Sequence, residues 1–363
     1  MSKEIRLAVV GLGRGVGLFD LAVKGFEGIV PTAVCDTVPS KLEEAKKRHP
    51  GLLVFEDYED MLACPGIDAV IVGTPANHHT SFAVKALMKN INVLSEIPSV
   101  WSFEEAQSLW DAHLQSRAIY MTGSNPNFYG FIDAAVDLKQ KGLFGDPVYV
   151  EASYIHDIRH LFEETPWRAT LEPIRYCTHS LGPVLRLIEE DLEWVSCFDT
   201  GSHINKVDGQ HDVMAALFRT RSNVVVRLLV SFINNYAESS HAYRFFTTKG
   251  CFERTPQYHT FRNEAAEGPR TLWHSNDLKV LGNWIELPIS EMPVEYASNQ
   301  KATGHGGVDY AMLDAFFKAI RKGLPSPLGL KEGLRMSLPG TFAAESAKQG
   351  GNLIHIRYPW SKE

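Results

Sequence analysis

A glycine-rich turn near the beginning of the chain constrains the fold more than any other feature. The sequence GLGRGVG occupies residues 11–17, directly after an apolar run over residues 5–10 and before a helical pattern. In a β-α-β unit, the first glycine of such a turn allows the tight bend, and the second lets the backbone approach a pyrophosphate at the helix N-terminus. Asp36 closes the next strand-like run, where a carboxylate can accept hydrogen bonds from ribose hydroxyls. The segment therefore predicts a dinucleotide-binding unit.

The glycine spacing departs from the usual G-x-G-x-x-G pattern. Its third position falls on Val16, with a glycine on either side, and a flexible turn is the alternative interpretation. A carboxylate at Asp36 would repel a 2′-phosphate, and no arginine follows it, so NAD is predicted rather than NADP. Helix capping is the alternative role for Asp36. The predicted cofactor contacts of this segment are Gly11, Gly13, Arg14, Gly15, Val16 and Asp36.

The periodicity of the chain changes at about residue 123. Before it, short apolar runs alternate with helical patterns, which predicts a parallel sheet with helices on both faces. After it, strand-like runs follow one another, residues 255–300 have weak periodicity and are predicted as loops, and two helical patterns come last. The predicted α/β architecture is an NAD-binding Rossmann domain over 1–123. An α+β domain over 124–363 would carry a large, mostly antiparallel open sheet for substrate binding and oligomerisation.

Composition excludes several classes of partner. The net charge of -7 and the lack of a basic block argue against nucleic acid and anionic membranes. No apolar stretch is long enough to cross a bilayer, and the N-terminus lacks the apolar region of a signal peptide. The five cysteines include no Cys-x-x-Cys pair, which is typical of free thiols in a reducing compartment. We therefore expect a cytoplasmic protein.

Two later segments resemble the Gfo/Idh/MocA superfamily. They are GTPANHH at residues 73–79 and Glu-Ile-Pro at 96–98. Dehydrogenases of that superfamily carry a lysine where this chain has Ile97, and an aspartate where it has Arg175. Losing one charged hydrogen bond costs about 1.5–3 kcal/mol, so the two changes disfavour an ordinary polyol dehydrogenase. The resemblance implies further cofactor contacts from Thr74, Pro75, Asn77, His79 and Glu96.

Four more segments resemble the NAD-dependent family 109 glycoside hydrolases. They cover residues 128–130, 154–159, 176–183 and 305–310. In that family, as the resemblance implies, NAD⁺ oxidises the sugar at C3, a base removes the acidified C2 proton, and the aglycone leaves by elimination. Water then adds and the hydride returns, so the net reaction is hydrolysis. The resemblance does not extend to the identity of the sugar.

The resemblance places catalytic groups at His179, Tyr176 and Tyr129. His179 would take the proton of the C3 hydroxyl, because imidazole titrates near neutral pH. Tyr176 or Tyr129 would handle the C2 proton or the leaving group, and a packing role is the alternative for each tyrosine. Arg175 would lower the pKa of a phenol or bind an anionic substrate. The predicted substrate contacts are Glu96, His156, Arg159, Arg175 and His305.

Three functions remain open at this point. They are an NAD-dependent glycosidase, an NAD-dependent sugar or polyol dehydrogenase, and a non-catalytic NAD or sugar sensor. No metal is expected, because His156 and His160 lie four residues apart without a third ligand nearby. The expected partner is a small carbohydrate. A second subunit would cover the open sheet, which predicts a homodimer or homotetramer.

Overall fold

The computed structural model describes residues 4–204, 206–234, 241–255, 269–277 and 285–361. The chain divides into two compact units. Unit 1 comprises residues 1–128, 292–334 and 358–363, and unit 2 comprises residues 129–291 and 335–357. This division differs from the predicted single boundary at 123, because the helix Val308–Lys322 returns to unit 1. There it buries Tyr310, whose ring stacks on that of Phe26 at 4.2 Å.

Unit 1 is built on a parallel sheet with helices between its strands. In chain order the elements are β1 (Ile5–Val10), α1 (Arg14–Gly25), β2 (Ile29–Cys35), α2 (Pro39–Arg48), β3 (Leu53–Phe55), α3 (Tyr58–Ala63), β4 (Ala69–Val72), α4 (His79–Met88), β5 (Asn92–Ser95), α5 (Phe103–Gln115) and β6 (Tyr120–Thr122). The strand order is β3-β2-β1-β4-β5-β6. The order reverses between β1 and β4, and ligands of such sheets bind beyond the carboxyl ends of the strands at this point.

Unit 2 is built on a mixed sheet. Its elements begin with α6 (Gly130–Gln140), β7 (Pro147–Ile155), α7 (Thr178–Leu185), β8 (Leu192–Asp199), β9 (Met214–Thr220), β10 (Val225–Ser231), β11 (His241–Thr247), β12 (Gly250–Arg254), β13 (Thr271–Ser275) and β14 (Ile285–Leu287). Then come α8 (Val308–Lys322) of unit 1, α9 (Leu330–Lys348) and β15 (Ile354–His355). The strand order is β14-β13-β12-β11-β7-β10-β9-β8-β15, and within the described ranges only β7 and β10 pair in parallel. The predicted Rossmann domain and mostly antiparallel sheet are confirmed.

The two faces of the unit 2 sheet differ in chemistry. Alternate residues of β7 and β11 are buried, among them Val150, Tyr154 and Phe245. The intervening residues form the outer face, where Arg244 donates to Glu151 at 3.0 Å and to Glu253 at 2.7 Å. This alternation is the pattern of a sheet with one covered face. None of the described helices has the length and apolar character needed to cross a membrane.

The prediction that residues 255–300 are loops is wrong in part. The strands β13 and β14 lie there and pair with each other, and β13 also pairs with β12. They are five and three residues long, too short for an alternating pattern to be evident in the sequence. Two further parts of the predicted loop region, 256–268 and 278–284, lie outside the described residues.

Candidate active site

The glycine turn brings the beginning of α1 against β4. Gly11 has a φ of +86°, and a Cβ atom there would lie 2.6 Å from the backbone of Gly73. A Cβ atom on Gly15 would lie 3.0 Å from Val9 Cγ2 and 3.2 Å from Gly73 Cα. A Cβ atom on Gly13, in contrast, would meet no described atom within 4 Å. Gly11 and Gly15 thus permit close packing, while Gly13 leaves open space at the N-terminus of α1.

This geometry explains the unusual glycine spacing. In the usual pattern the third glycine permits close packing of the helix on the sheet. Here Gly15 does so, one position earlier than expected. The predicted third position, Val16, is half-buried, and a Cβ atom on Gly17 would meet only Arg14 Nη1, at 3.9 Å.

Asp36 is held in place by the turn that it faces. Its Oδ2 accepts a hydrogen bond from the backbone of Leu12 at 2.7 Å, and its Oδ1 accepts one from the backbone of Val38 at 2.9 Å. A carboxylate has about four acceptor positions. The two that remain are suited to the hydroxyls of a ribose.

We expect Asp36→Ala to weaken NAD binding by about tenfold to hundredfold, the usual effect of losing hydrogen bonds to a charged group. NADP should lose less affinity, because the charge that repels its 2′-phosphate is gone. Asp57→Ala is the matched control, since Asp57 also accepts two backbone hydrogen bonds after a strand, from Glu59 and Asp60. Calorimetric titration with both nucleotides checks this. Equal losses in the two variants would contradict the ribose assignment.

The loop after β4 carries an unsatisfied polar atom. Thr74 Oγ1 is buried and has no hydrogen-bond partner among the described residues, while Pro75 and Asn77 are exposed beside it. The predicted contact of His79 with the cofactor remains a prediction. His79 is 2% exposed, and its ring nitrogens lie 2.9 Å from Pro98 O and 2.8 Å from Thr74 O. His79 therefore holds the Thr74 loop to the loop after β5.

Five polar side chains of unit 1 meet at the N-terminus of α1. Arg14 Nη2 donates to Asp309 Oδ2 at 2.7 Å, and Arg14 Nε lies 3.5 Å from Glu96 Oε1. His305 Nδ1 lies 2.8 Å from the same Asp309 oxygen, and Asn125 donates to the other at 2.8 Å. Sequence reasoning identified Arg14, Glu96 and His305 but missed Asp309 and Asn125. The i, i+4 spacing of His305 and Asp309 could have indicated their pairing.

The pKa values of the two carboxylates in this cluster, Asp309 and Glu96, are shifted in opposite directions. Burial alone would raise the pKa of Asp309, but the hydrogen bond from His305 and the charge of Arg14 lower it to about 2. Burial raises the pKa of Glu96 above its usual range, and the charge of Arg14 only partly opposes this. Asp309 is therefore a fixed negative charge, and Glu96 takes up a proton more readily than an exposed glutamate.

Unit 1 thus has the features that NAD requires. Gly13 leaves room for a pyrophosphate, and Asp36 has acceptor positions for a ribose. The buried Thr74 Oγ1 has no hydrogen-bond partner among the described residues and can bond to a polar group of the cofactor. Arg14 and Glu96 lie on the β5 side of the turn. Together these features fit a dinucleotide without a 2′-phosphate.

A second cluster, in unit 2, contains imidazole and phenol rings. Tyr154, at the end of β7, stacks on His241 with ring centroids 4.4 Å apart, and its ring lies 5.2 Å from that of His179. The rings of Tyr176 and His179 are 5.1 Å apart. The Tyr154 hydroxyl lies 3.1 Å from His156 Nδ1, and burial raises the pKa of this phenol. Sequence reasoning did not single out Tyr154 or His241, which enters through the pairing of β11 with β7.

Tyr129 lies at the edge of this ring cluster. Its ring is 6.2 Å from that of His241, and the guanidinium of Arg254 lies 5.4 Å from the Tyr129 ring. The buried Arg254 in turn forms an ion pair with the half-buried Glu291. Tyr129 is thus near His241, whose ring lies 5.5 Å from that of His179.

The two predicted substrate arginines of unit 2 are engaged by carboxylates. Arg159 donates to Asp157 at 2.6 Å on an exposed loop. Arg175 forms an ion pair with Glu172, both being less than 15% exposed, and Glu172 also meets Lys348 at 2.8 Å. Arg175 therefore shares the carboxylate of Glu172 with Lys348, and its roles toward Tyr176 or an anion remain predictions.

Arg168 is a better candidate for a substrate contact. Its guanidinium lies 4.5 Å from the ring of Trp167, and its buried Nε has no hydrogen-bond partner within the described ranges. Its charge also acts to lower the pKa of Tyr154. Within the same ranges, no group of three metal-ligating side chains suited to a metal ion occurs.

We expect Arg175→Gln to destabilise the protein by about 3 kcal/mol, because it leaves a buried carboxylate with less compensation. Arg159→Gln removes an exposed pair and should cost less than about 1 kcal/mol. The midpoint of urea unfolding measures both effects. Equal destabilisation of the two variants would contradict a structural role for Arg175.

Comparison with known proteins identifies the cofactor domain. Residues 5–124 match the GFO_IDH_MocA family model, described as an oxidoreductase family with an NAD-binding Rossmann fold. These residues are thus similar to the Gfo/Idh/MocA family. The predicted resemblance and the predicted NAD cofactor are confirmed.

Relatives extend the similarity beyond residues 5–124. A glycosyl hydrolase family 109 protein of Saccharopolyspora erythraea is 24% identical over 396 residues, which cover 98% of this chain and 83% of that protein. One from Solibacter usitatus is 25% identical, covering 95% and 86%. The structure of myo-inositol 2-dehydrogenase from Lactobacillus plantarum has a TM-score of 0.76 at 16% identity, covering 98% and 100%, which shows a shared fold.

Proposed function

We propose that this chain is an NAD-dependent enzyme that cleaves a glycoside without net oxidation. The observation that carries the proposal is the gathering of His179, Tyr176, Tyr154 and His156 in one cluster of unit 2, in which Tyr154 is buried and the other three are half-buried. The similarity to family 109 hydrolases over nearly the whole chain supports it. The substrate would be a small carbohydrate.

The absence of a lysine from the end of β5 supports this assignment. Ile97 is buried, and its side chain can neither donate nor accept a proton. The groups available for proton transfer therefore include the imidazoles and phenols of unit 2. Such groups, positioned within a site, contribute about 10²–10⁴-fold to a rate.

The residues have distinct tasks in this proposal. When bound, NAD⁺ supplies a reversible hydride acceptor for a sugar carbon. His179 accepts the hydroxyl proton of that carbon, and the neighbouring Tyr176 acts at the C2 proton or the leaving oxygen. The neutral Tyr154 hydroxyl can relay a proton to His156 Nδ1, giving up its own proton as it accepts another. Phe232, 4% exposed, packs against Tyr154 and Tyr176 and keeps water away from the rings.

A sugar or polyol dehydrogenase is the second candidate. His179 would remove the hydroxyl proton in a net oxidation as well, and the fold is shared with a myo-inositol dehydrogenase. The two functions differ in whether the cofactor accumulates in reduced form. Only the first returns the hydride within each turnover.

The test uses purified protein and a panel of α- and β-nitrophenyl glycosides without added NAD. The proposal predicts release of nitrophenol far beyond one equivalent of protein, with no accumulation of NADH. Accumulation of NADH on addition of NAD, without aglycone release, would overturn it in favour of a dehydrogenase. Tight NAD binding without turnover of any sugar would favour the sensor.

A homodimer or homotetramer and a cytoplasmic location remain predictions. The outer face of the unit 2 sheet combines exposed apolar side chains, Leu217 and Phe246, with the Arg244 ion pairs. A second copy of the chain would suit such a surface, because an isologous interface brings the same patch of both subunits together.

A further inference from the structure

The segment that precedes α8 has an unusual backbone. Gly304, His305, Gly306 and Gly307 all have positive φ, at 80°, 44°, 70° and 94°. A Cβ atom on Gly304 would lie 2.6 Å from Asp309 Oδ2. The tight coil therefore allows both His305 and the beginning of α8 to approach the glycine turn.

Asp309 is the centre of the contacts made by this segment. Its side chain is 2% exposed, and its two oxygens meet Arg14, His305 and Asn125 at 2.7–2.8 Å. Arg14 is the first residue of α1 and its side chain is 39% exposed. An arginine that is free to rotate carries about 2 kcal/mol of rotamer entropy. The buried carboxylate fixes this guanidinium before any ligand arrives.

The position of this cluster relates it to one half of the cofactor. Asp36 follows β2 and marks the adenosine ribose, on one side of the reversal between β1 and β4. Glu96 follows β5, on the other side, and lies 3.5 Å from Arg14. We propose that Asp309 is a positioning residue for the nicotinamide half of NAD, acting by holding Arg14 and His305 beside Glu96. The proposal rests on NAD binding alone and applies equally to a glycosidase and a dehydrogenase.

Calorimetric titration of Asp309→Asn with NAD and with AMP tests this. AMP contains only the adenosine half, so it reports whether the binding site is otherwise intact. We expect the affinity for NAD to fall by about tenfold or more, as when a charge-assisted hydrogen bond is lost. The affinity for AMP should stay within about twofold. Equal losses for the two ligands, or an unchanged affinity for NAD, would overturn the proposal.

Asp314→Asn is the matched control. Asp314 lies on the same helix, accepts a hydrogen bond from Tyr296 at 2.5 Å and pairs with Lys318 at 2.6 Å. Its loss should leave both affinities unchanged. Arg14→Gln should reproduce the selective loss of NAD affinity, and should add little when combined with Asp309→Asn, because coupled residues are not additive.

A variant with an exposed side chain keeps the proposal testable if Asp309→Asn fails to fold. His305→Ala removes a side chain that is 55% exposed, and it should weaken NAD binding while AMP binding is retained. Failure of the unmodified protein to bind NAD would overturn the assignment of NAD as cofactor, and with it this proposal. Binding without glycosidase activity would leave the role of Asp309 intact.

Discussion

His179→Asn is expected to lower kcat on the best aryl glycoside by about 10²–10⁴-fold, the range for loss of a general acid-base group. Asparagine is similar in size to histidine but cannot take up the hydroxyl proton. The affinity for NAD should be unchanged, because the predicted cofactor contacts lie in unit 1. Initial rates of nitrophenol release and calorimetric titration with NAD measure the two quantities.

The control for this variant is His211→Asn. His211 also belongs to unit 2, and its Nδ1 lies 2.6 Å from Asp199 on the surface. Its replacement should leave kcat within about twofold, since surface ion pairs contribute little. A normal rate in His179→Asn would contradict the assigned role, as would a parallel loss of NAD affinity.

Gly11→Ala is expected to abolish measurable NAD binding. The φ of +86° is strained for alanine, at about 1–3 kcal/mol, and the new methyl group would lie 2.6 Å from Gly73 and Thr74. The turn must therefore separate from the end of β4, which displaces the N-terminus of α1. Calorimetric titration with NAD and thermal unfolding report the two effects.

Gly17→Ala provides the comparison, because it adds the same methyl group to the same glycine run. A Cβ atom at position 17 would meet only Arg14 Nη1, at 3.9 Å, and the residue lies in α1. We expect unchanged NAD affinity and a gain in stability of about 0.5–1 kcal/mol. NAD affinity that falls more in Gly17→Ala than in Gly11→Ala would contradict the geometry of the turn.

The parts of the site that sequence predicted well are local. The strand, the glycine turn and Asp36 lie within about 30 residues, and each has a residue type that its position demands. The contact of Gly15 with Gly73 could not be predicted in this way, because it depends on how closely α1 approaches β4. The third glycine was accordingly expected at Val16.

The parts that sequence missed depend on distant pairing. Asp309 reaches Arg14 across 295 residues of chain, and His241 reaches Tyr154 through the register of β11 on β7. Neither pairing has a local signal. Arg175 has a partner that is close in sequence, since Glu172 lies three residues earlier. That spacing is within the range of local side-chain pairs and could have indicated this ion pair.

The most direct test of the proposed chemistry is the isotopic composition of the product sugar. The protein would be incubated with its best aryl glycoside in D₂O without added NAD, and the sugar analysed by mass spectrometry after exchangeable deuterons are washed out. If a proton is removed from C2 and replaced from solvent, the sugar carries one carbon-bound deuterium. A hydrolysed sugar without carbon-bound deuterium would contradict the account, because direct displacement at C1 leaves the C2 proton in place.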